Sequence, residues 1–416
     1  MPPTATRRLA LLRDQPDRAL VWIVLGLVSF GLVMVYSASS APAVLSQGDP
    51  LGTVTRQAIY ALVGLGAYVV ALRMRPEGMR RIAPLGIAVS AILLLAVLVP
   101  GIGMAVNGSR RWIDLGVFNL QPSELAKICL ALWIAQAIAR EPKLLATPRG
   151  LRPFLILTGV LTLLVVKEDL GTALVLAAMA FAMLVVGGAP VRRLATVLAG
   201  SAALAALAIA VEPYRRERLL AFLDPWSDPQ GAGFQAVQAQ VALGSGGPFG
   251  VGLGNGLQKA NYLPEAHTDM ILATVGEELG VVGVVLLLAA FGAFAVAGYR
   301  IALRAKDLHG QVLAAGVTTL VAAQAIVNVG AVLGFLPVTG VPLPFVSFGG
   351  SSLIVLLFAA GILVNIGRRS SNRSAPRLRL VDGGDGATAG GDRRRRNGRP
   401  RDARAGGGRR AVGARS

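Results

Sequence analysis

Ten long apolar stretches dominate this chain of 416 residues and limit what it can fold into. A helix needs about 20 mostly apolar residues to cross the hydrocarbon core of a bilayer. Because lipid offers no partners to backbone N–H and C=O groups, only helices and closed barrels span a membrane. The composition agrees, since only 15% of the residues are charged, against about 25% in a soluble domain. The sequence therefore predicts an all-α polytopic membrane protein whose ten transmembrane helices lie at 18–39, 55–73, 81–101, 123–139, 152–168, 170–187, 191–212, 270–299, 310–335 and 346–366.

The positions of lysine and arginine predict the orientation, because short cytoplasmic loops are enriched in these residues. With the N-terminus inside, the inner segments before the tail hold 17 of them and the outer segments hold seven. We therefore expect both termini in the cytoplasm and a large extracytoplasmic loop, residues 213–269, before the eighth helix. The chain then divides into a cytoplasmic N-terminal arm (1–17), a ten-helix membrane domain (18–366) and a cytoplasmic tail (367–416).

The tail is rich in Gly and Arg, with four consecutive arginines at 393–396, and carries +11 of the chain's net charge of +19. A segment of this composition cannot bury a core, so we expect it to be disordered. Its charge suits contact with anionic lipids of the inner leaflet, and a docking partner in the cytoplasm is the alternative. No folded nucleic-acid-binding module accompanies these arginines, so we expect no nucleic acid partner.

Cysteine and histidine are too few for several kinds of site. The single cysteine, Cys129, excludes an intramolecular disulfide framework, a zinc ribbon and a redox pair of cysteines. With only two histidines in the chain, a multi-histidine metal centre is excluded as well.

Seven cationic residues on the outer side oppose the orientation rule and need a cause of their own. They are Arg56, Arg110, Arg111, Arg215, Arg216, Arg218 and Lys259. Contact with lipid headgroups or with nearby carboxylates explains single residues. For the arginine pair before the fourth span and the cluster in the 213–269 loop, we favour an anionic substrate at the outer face.

Ionisable side chains inside a span cost about 2.5–3.5 kcal/mol on insertion scales, and they usually line a cavity or find a partner. Glu124 and Lys127 lie three residues apart in the fourth span, on one helix face. They form either a structural ion pair or part of a polar cavity. Asp169 follows Lys167 and Glu168 at the outer end of the fifth span, where it either holds a cation or caps the next helix.

The long outer loop ends in the sequence YLPEAHTD, residues 262–269. Asp269 can cap the eighth helix, but a carboxylate near His267 at the mouth of a membrane cavity also suits a general base. Residues 337–352 interrupt the start of the last span. Non-helical backbone is tolerated at that depth only where protein or a water-filled cavity satisfies it. These features predict an outward polar cavity, which suits either a transporter or an enzyme.

Several long motifs resemble the SEDS family, the shape, elongation, division and sporulation proteins of bacteria. The resemblance covers residues 18–366 in order. The motifs that carry it are NGSRRWIDLG (107–116), QPSELAK (121–127), EDLGTALV (168–175), EPYRRERLLAFLDPWSDPQGAGFQ (212–235), GLGNGLQKANYLPEAHTDMILATVGEELG (252–280) and LPVTGVPLPFVSFGGSS (336–352).

This resemblance implies a peptidoglycan glycosyltransferase that polymerises lipid II into glycan strands. The essential carboxylate of the family corresponds to Asp269, which would deprotonate the acceptor 4-hydroxyl while undecaprenyl diphosphate leaves. The diphosphate needs positive charge, supplied by arginines or by a divalent cation, Mg²⁺ or Mn²⁺, on Asp169 or Asp269. The candidate substrate-binding residues are Arg110, Arg111, Glu124, Lys127, Asp169, Arg215, Arg216, Lys259, His267 and Ser351.

Within the family, YLPEAHTD and GLGNGLQK resemble the division branch, whereas PVTGVPLPFVS leans towards the elongation branch. A division member implies the bacterial inner membrane at the septum, with a class B penicillin-binding transpeptidase and other divisome proteins as partners. The alternatives are an elongation polymerase, a lipid II flippase without chemistry, and a scaffold without activity. Only the transferase needs a base, so the carboxylate at 269 favours the enzyme. Met270 and Lys167–Glu168 depart from the family pattern, and the second departure weakens an ion-binding role for Asp169.

Overall fold

The computed structural model describes residues 15–45, 48–106, 109–116, 118–166, 169–211, 222–231, 233–260 and 263–372. Residues 373–416 of the predicted tail and most of the N-terminal arm lie outside these residues. Residues 367–372, expected to belong to the disordered tail, are instead helical, because they continue the last helix. The helices are α1 (Pro16–Leu45), α2 (Gly52–Arg73), α3 (Pro76–Val97), α4 (Pro122–Arg140), α5 (Pro148–Val166), α6 (Leu170–Val186), α7 (Val191–Val211), α8 (Phe234–Gly246), α9 (Ile271–Arg304), α10 (Leu308–Val332) and α11 (Gly350–Asn372).

The prediction of a helical, polytopic membrane protein is confirmed. In the described part of the chain, eight helices, α1 to α5 and α9 to α11, are long and apolar enough to cross a bilayer. Helix α6 is apolar but has 17 residues, and α7 has 21. Ten helices follow the ten predicted spans in order. The number of crossings and the orientation of the termini stay predictions.

The helices divide into a buried centre and a periphery. In the most apolar 18-residue stretch of α4, α10 and α11, between 72% and 78% is buried inside the protein. The corresponding share is 22–28% in α2, α3 and α5. A peripheral helix therefore presents most of its apolar surface outward, as lipid contact requires. Polar side chains on the central helices face other protein groups instead of lipid. The central helices can therefore support functional residues.

A small antiparallel sheet lies between α3 and α4, where the sequence predicted no strands. Strands β1 (Gly103–Val106), β2 (Ser109–Asp114) and β3 (Asn119–Leu120) pair in the order β1-β2-β3. The three strands have only four, six and two residues, so they give little periodic signal. The sheet carries both arginines of the 110–111 pair on β2.

Helix α9 is kinked, and the segment before it packs into the kink. Gly280 has φ 65° and ψ −166°, which breaks the helical hydrogen bonding on either side. The freed carbonyls of Glu277 and Glu278 accept hydrogen bonds from residues 251 and 252, both at 3.0 Å. The freed N–H groups of residues 281 and 282 donate to the carbonyls of residues 247 and 248, at 3.0 and 3.1 Å. The glycine-rich residues 247–252 thus satisfy the backbone groups that the kink exposes.

Replacing Gly280 with Ala should destabilise the protein, because this region of φ/ψ space is essentially restricted to glycine. A Cβ there would also overlap the backbone of Pro248 and Gly250. We expect a loss of about 1–3 kcal/mol, measured as a lower unfolding temperature of the purified protein in detergent. Gly292→Ala is the matched control on the same helix, since a Cβ at Gly292 meets nothing within 4 Å. Equal unfolding temperatures for the two variants would contradict the role of the kink.

Candidate active site

Asp269 lies at the end of a series of turns, residues 263–270, that leads into α9. Its side chain is only 8% exposed. The Thr268 hydroxyl lies 3.2 Å from Asp269 Oδ1 and 2.9 Å from Glu265 Oε2, so its single proton can be donated to either carboxylate. The N-cap position of α9 is taken by Met270, whose side chain makes no cap hydrogen bond. Asp269 is therefore displaced from the position at which a carboxylate caps this helix.

The pKa of Asp269 is raised from 3.8 to about 6, chiefly because the carboxyl group is buried and also because the charge of Glu265 lies nearby. The Thr268 hydrogen bond and the Arg111 guanidinium oppose this rise. A carboxyl with a pKa near 6 is mostly ionised at neutral pH and is a stronger base than an ordinary aspartate. The site thus provides a basic oxygen close to the operating pH.

A β-bulge brings Arg111 to Asp269. Met104 pairs with Trp112 and Ala105 pairs with Arg110, so Arg111 is the additional residue on β2. Bulges commonly re-aim a side chain beside a functional site. A Cβ built on Gly340 would lie 3.0 Å from Arg111 Nη1 and 3.9 Å from Asp269 Oδ2. Gly340 therefore leaves open the space between a guanidinium and the basic carboxylate.

Arg111 also lines a pocket to which further residues predicted from the sequence contribute. Its polar lining consists of Arg110, Arg111, Ser123 and Asp169. Apolar side chains from α3 and α5 complete the wall, namely Leu94, Val97, Leu164 and Val165 together with Leu98 and Pro122. Two guanidinium groups above an apolar wall suit a ligand that joins an anionic group to a hydrocarbon chain.

Asp169 caps α6, as one of the two sequence interpretations proposed. Thr172 donates its backbone N–H to Asp169 Oδ1 at 2.8 Å and its hydroxyl to Oδ2 at 2.7 Å. Both oxygens are thus engaged, which leaves little capacity for a metal ion. Among the residues that the structure describes, no three His, Cys, Asp or Glu side chains gather as metal ligands. Glu265 and Asp269 fit only a cation whose other ligands are water and substrate phosphate, the usual environment of Mg²⁺.

Glu124 and Lys127 form an ion pair at the centre of the helix bundle. Lys127 Nζ lies 2.7 Å from Glu124 Oε1, and both side chains are 1% exposed. Lys127 also donates to Gln324 Oε1 at 3.0 Å, and Gln324 Nε2 donates to the carbonyl of Pro342. The pair thus connects α4 through α10 to the non-helical segment that contains Gly340.

Lys259 and Ser351 bond to groups other than Asp269 and Arg111. Lys259 is 2% exposed and pairs with Glu278, while Ser37 of α1 donates to the same carboxylate. Ser351 donates to the carbonyl of residue 119 at 2.7 Å, which fixes the start of α11 against β3. These contacts assign Lys259 and Ser351 to the packing of the bundle.

His267 packs beside the site with its ring 5.5 Å from that of Phe348. Its carbonyl accepts the N–H of Phe348 at 2.9 Å, which ties the turns before α9 to the segment before α11. Burial lowers the pKa of this imidazole, so it is neutral at physiological pH. Arg215 and Arg216 lie outside the described residues.

Four residues of the site escaped the sequence analysis, namely Glu265, Gln324, Asn328 and Gly340. Gln324 and Asn328 did leave a signal, because two amides four residues apart interrupt an otherwise apolar span. Asn328 donates to the carbonyls of Asp269 and Val341 at 2.7 and 2.8 Å. The structure distinguishes Glu265 by a positive φ of 56°, which is unusual for a residue other than glycine. Backbone strain of this kind clusters at functional sites.

Comparison with known proteins places this architecture in a family. The family described as "Cell cycle protein", which comprises FtsW, RodA and SpoVE, matches residues 18–372. The probable peptidoglycan glycosyltransferase FtsW of Geobacter metallireducens is 43% identical, over 86% of this chain and 96% of its own. Stage V sporulation protein E of Bacillus subtilis is 39% identical, over 86% of this chain and 98% of its own. The chain therefore belongs to the FtsW/RodA/SpoVE family, and the resemblance to its FtsW-like division branch is confirmed.

Solved structures agree with this membership. A chain from a peptidoglycan synthase complex that coordinates polymerisation and crosslinking matches with a TM-score of 0.72 at 32% identity, covering 85% of this chain and 97% of that one. The rod shape determining protein RodA of Thermus thermophilus matches with a TM-score of 0.61 at 30% identity, covering 85% and 96%.

Proposed function

We propose that this protein is a peptidoglycan glycosyltransferase that polymerises lipid II, with Asp269 as the general base. The observation that carries the proposal is the arrangement around Gly340, where a buried carboxylate and the Arg111 guanidinium face one open space. Glycosyl transfer from a lipid diphosphate needs a base for the attacking hydroxyl and positive charge for the leaving group. The FtsW relatives that match most of the chain are named for this activity.

Asp269 takes the proton of the 4-hydroxyl of the acceptor N-acetylglucosamine. The oxygen then attacks C1 of the donor N-acetylmuramic acid, and the bond from C1 to the diphosphate oxygen breaks. Undecaprenyl diphosphate leaves with that electron pair, and the new glycosidic bond extends the strand by one disaccharide. The raised pKa of Asp269 strengthens it for the first step.

Arg110 and Arg111 hold the diphosphate of the donor. Guanidinium groups bind phosphate oxygens in two-point hydrogen bonds and stay charged throughout. The apolar wall of the adjoining pocket suits the first isoprene units of the lipid. A divalent cation bound to Glu265 and Asp269 would add positive charge to the same diphosphate.

We also propose a class B penicillin-binding transpeptidase as partner and the division septum as the place of action. The likeness to a chain of a complex that couples polymerisation to crosslinking supports the partner. The 43% identity to an FtsW protein supports the septum.

Replacing Asp269 with Asn should abolish glycan synthesis while leaving the fold intact. The amide keeps the shape and can still accept the Thr268 hydrogen bond, but it has no basic oxygen. Loss of a general base costs about 10²–10⁴ in rate. The measurement is polymerisation of labelled lipid II by the purified variant, with and without its transpeptidase partner.

Asp114→Asn is the matched control, because it makes the same chemical change on strand β2 at an exposed carboxylate, which accepts the N–H of Gly116. This variant should polymerise like the unmodified protein. If Asn at 269 supports a rate close to that of the control, the catalytic assignment is wrong.

The rate should also depend on pH through the ionisation of Asp269. The carboxylate must be deprotonated to act, so kcat/KM should rise with pH, reach half its plateau near pH 6 and stay level above it. Glu265→Gln removes the negative neighbour that raises this pKa, so the half-maximal point should move to lower pH. A profile that is flat down to pH 5, or one that Glu265→Gln leaves in place, would contradict this role.

A further inference from the structure

Asn328 of α10 is a buried amide whose two N–H groups serve two separate parts of the site. The side chain is 1% exposed. Its Nδ2 donates to the carbonyl of Asp269 at 2.7 Å and to the carbonyl of Val341 at 2.8 Å. Asn328 Oδ1 has no hydrogen-bond partner among the described residues. The amide is thus oriented for donation, at the cost of its own acceptor.

The two carbonyls belong to the two walls of the open space at Gly340. Asp269 supplies the basic carboxylate, and Val341 directly follows Gly340, whose φ of 71° turns the chain beside Arg111. A single side chain thus fixes the distance between the turn that carries the base and the segment that faces it. Helix α10 is itself one of the buried central helices, so it gives this side chain a firm support.

Gln324 lies one turn before Asn328 on α10, and it holds Pro342, the residue after Val341, in a similar way. Its Nε2 donates to the carbonyl of Pro342 at 3.0 Å, and its Oε1 accepts from Lys127 at 3.0 Å. Consecutive carbonyls of the non-helical segment are therefore held by two amides on one face of one helix. Of these two amides, only Asn328 also reaches Asp269.

We infer that Asn328 is a positioning residue for the glycosyl transfer proposed above, holding Asp269 in register with Gly340 and Arg111. This inference rests on the proposed role of Asp269. Asparagine suits the task because one planar nitrogen carries two donors for two acceptors. Ala leaves both carbonyls without that donor, and Asp offers acceptors only. Misplacement of a reacting group by about 1 Å can cost on the order of 10² in rate.

The test compares Asn328→Ala with Asn365→Ala, which removes a chemically equivalent contact elsewhere. Asn365 of α11 is 3% exposed, and its Nδ2 donates to the carbonyls of Ala71 and Met74 at 2.7 and 2.9 Å. Both variants should lower the unfolding temperature by a similar amount. Only Asn328→Ala should lower kcat for lipid II, by on the order of 10²-fold, with KM within about threefold of the unmodified protein.

Asn328→Ser is the milder second variant, since it keeps one donor and should give a kcat between those of Asn328→Ala and the unmodified protein. Equal kcat values for Asn328→Ala, Asn328→Ser and Asn365→Ala would overturn the inference, as would a loss confined to KM. Asp269→Asn is assayed in parallel. If that variant is active, the base assignment fails; if it is inactive while Asn328→Ala turns over like the control, the positioning role alone fails.

Discussion

The protein depends on one constraint, that non-helical backbone buried between membrane helices must find its hydrogen bonds inside the protein. Residues 333–349 separate α10 from α11, and this segment meets the demand with side chains from its neighbours. Gln324 and Asn328 hold the carbonyls of Pro342 and Val341, and Gln57 of α2 holds that of Ser347 at 3.0 Å. Because those donors sit on packed helices, the segment is fixed in place, and the space at Gly340 between Arg111 and Asp269 is preorganised. Preorganised charge is what stabilises a departing diphosphate most effectively.

The same constraint explains the first part of α9, which precedes the kink at Gly280. The kink at Gly280 frees backbone groups, and residues 247–252 fold back along the helix to satisfy them. Lys259 and Glu278 form a buried ion pair beside this junction, with Ser37 of α1 as a third member. Removing one member of a buried pair leaves an uncompensated charge, so this cluster holds Lys259 and the residues next to it against the bundle. The turns that carry Asp269, residues 263–270, lead from this part of the chain into the kinked helix.

The sequence was sufficient to locate the helices, but not to show how the residues around Asp269 come together. Apolar length acts locally along the chain, so the ten helices could be located from it. The bulge that aims Arg111 at Asp269 depends on the pairing of β1 with β2, for which short strands leave no periodic signal. Lys259 looked like an outer cation free to meet substrate, because its burial against Glu278 follows from the fold-back at Gly280. Asn328 could have been noticed as an amide in an apolar span, but its two partners are 13 and 59 residues away.

Membership of the FtsW/RodA/SpoVE family and the arrangement of the site support one mechanism. In it, the buried Asp269 takes the proton of the acceptor hydroxyl, and Arg111 binds the diphosphate that leaves the donor. The most direct test is a structure of the Asp269→Asn variant with lipid II bound, since this variant should retain substrate without consuming it. The account predicts an acceptor 4-hydroxyl within about 3.2 Å of the residue 269 side chain and a donor diphosphate on Arg110 and Arg111. A diphosphate bound away from both arginines, or an acceptor hydroxyl directed away from residue 269, would contradict it.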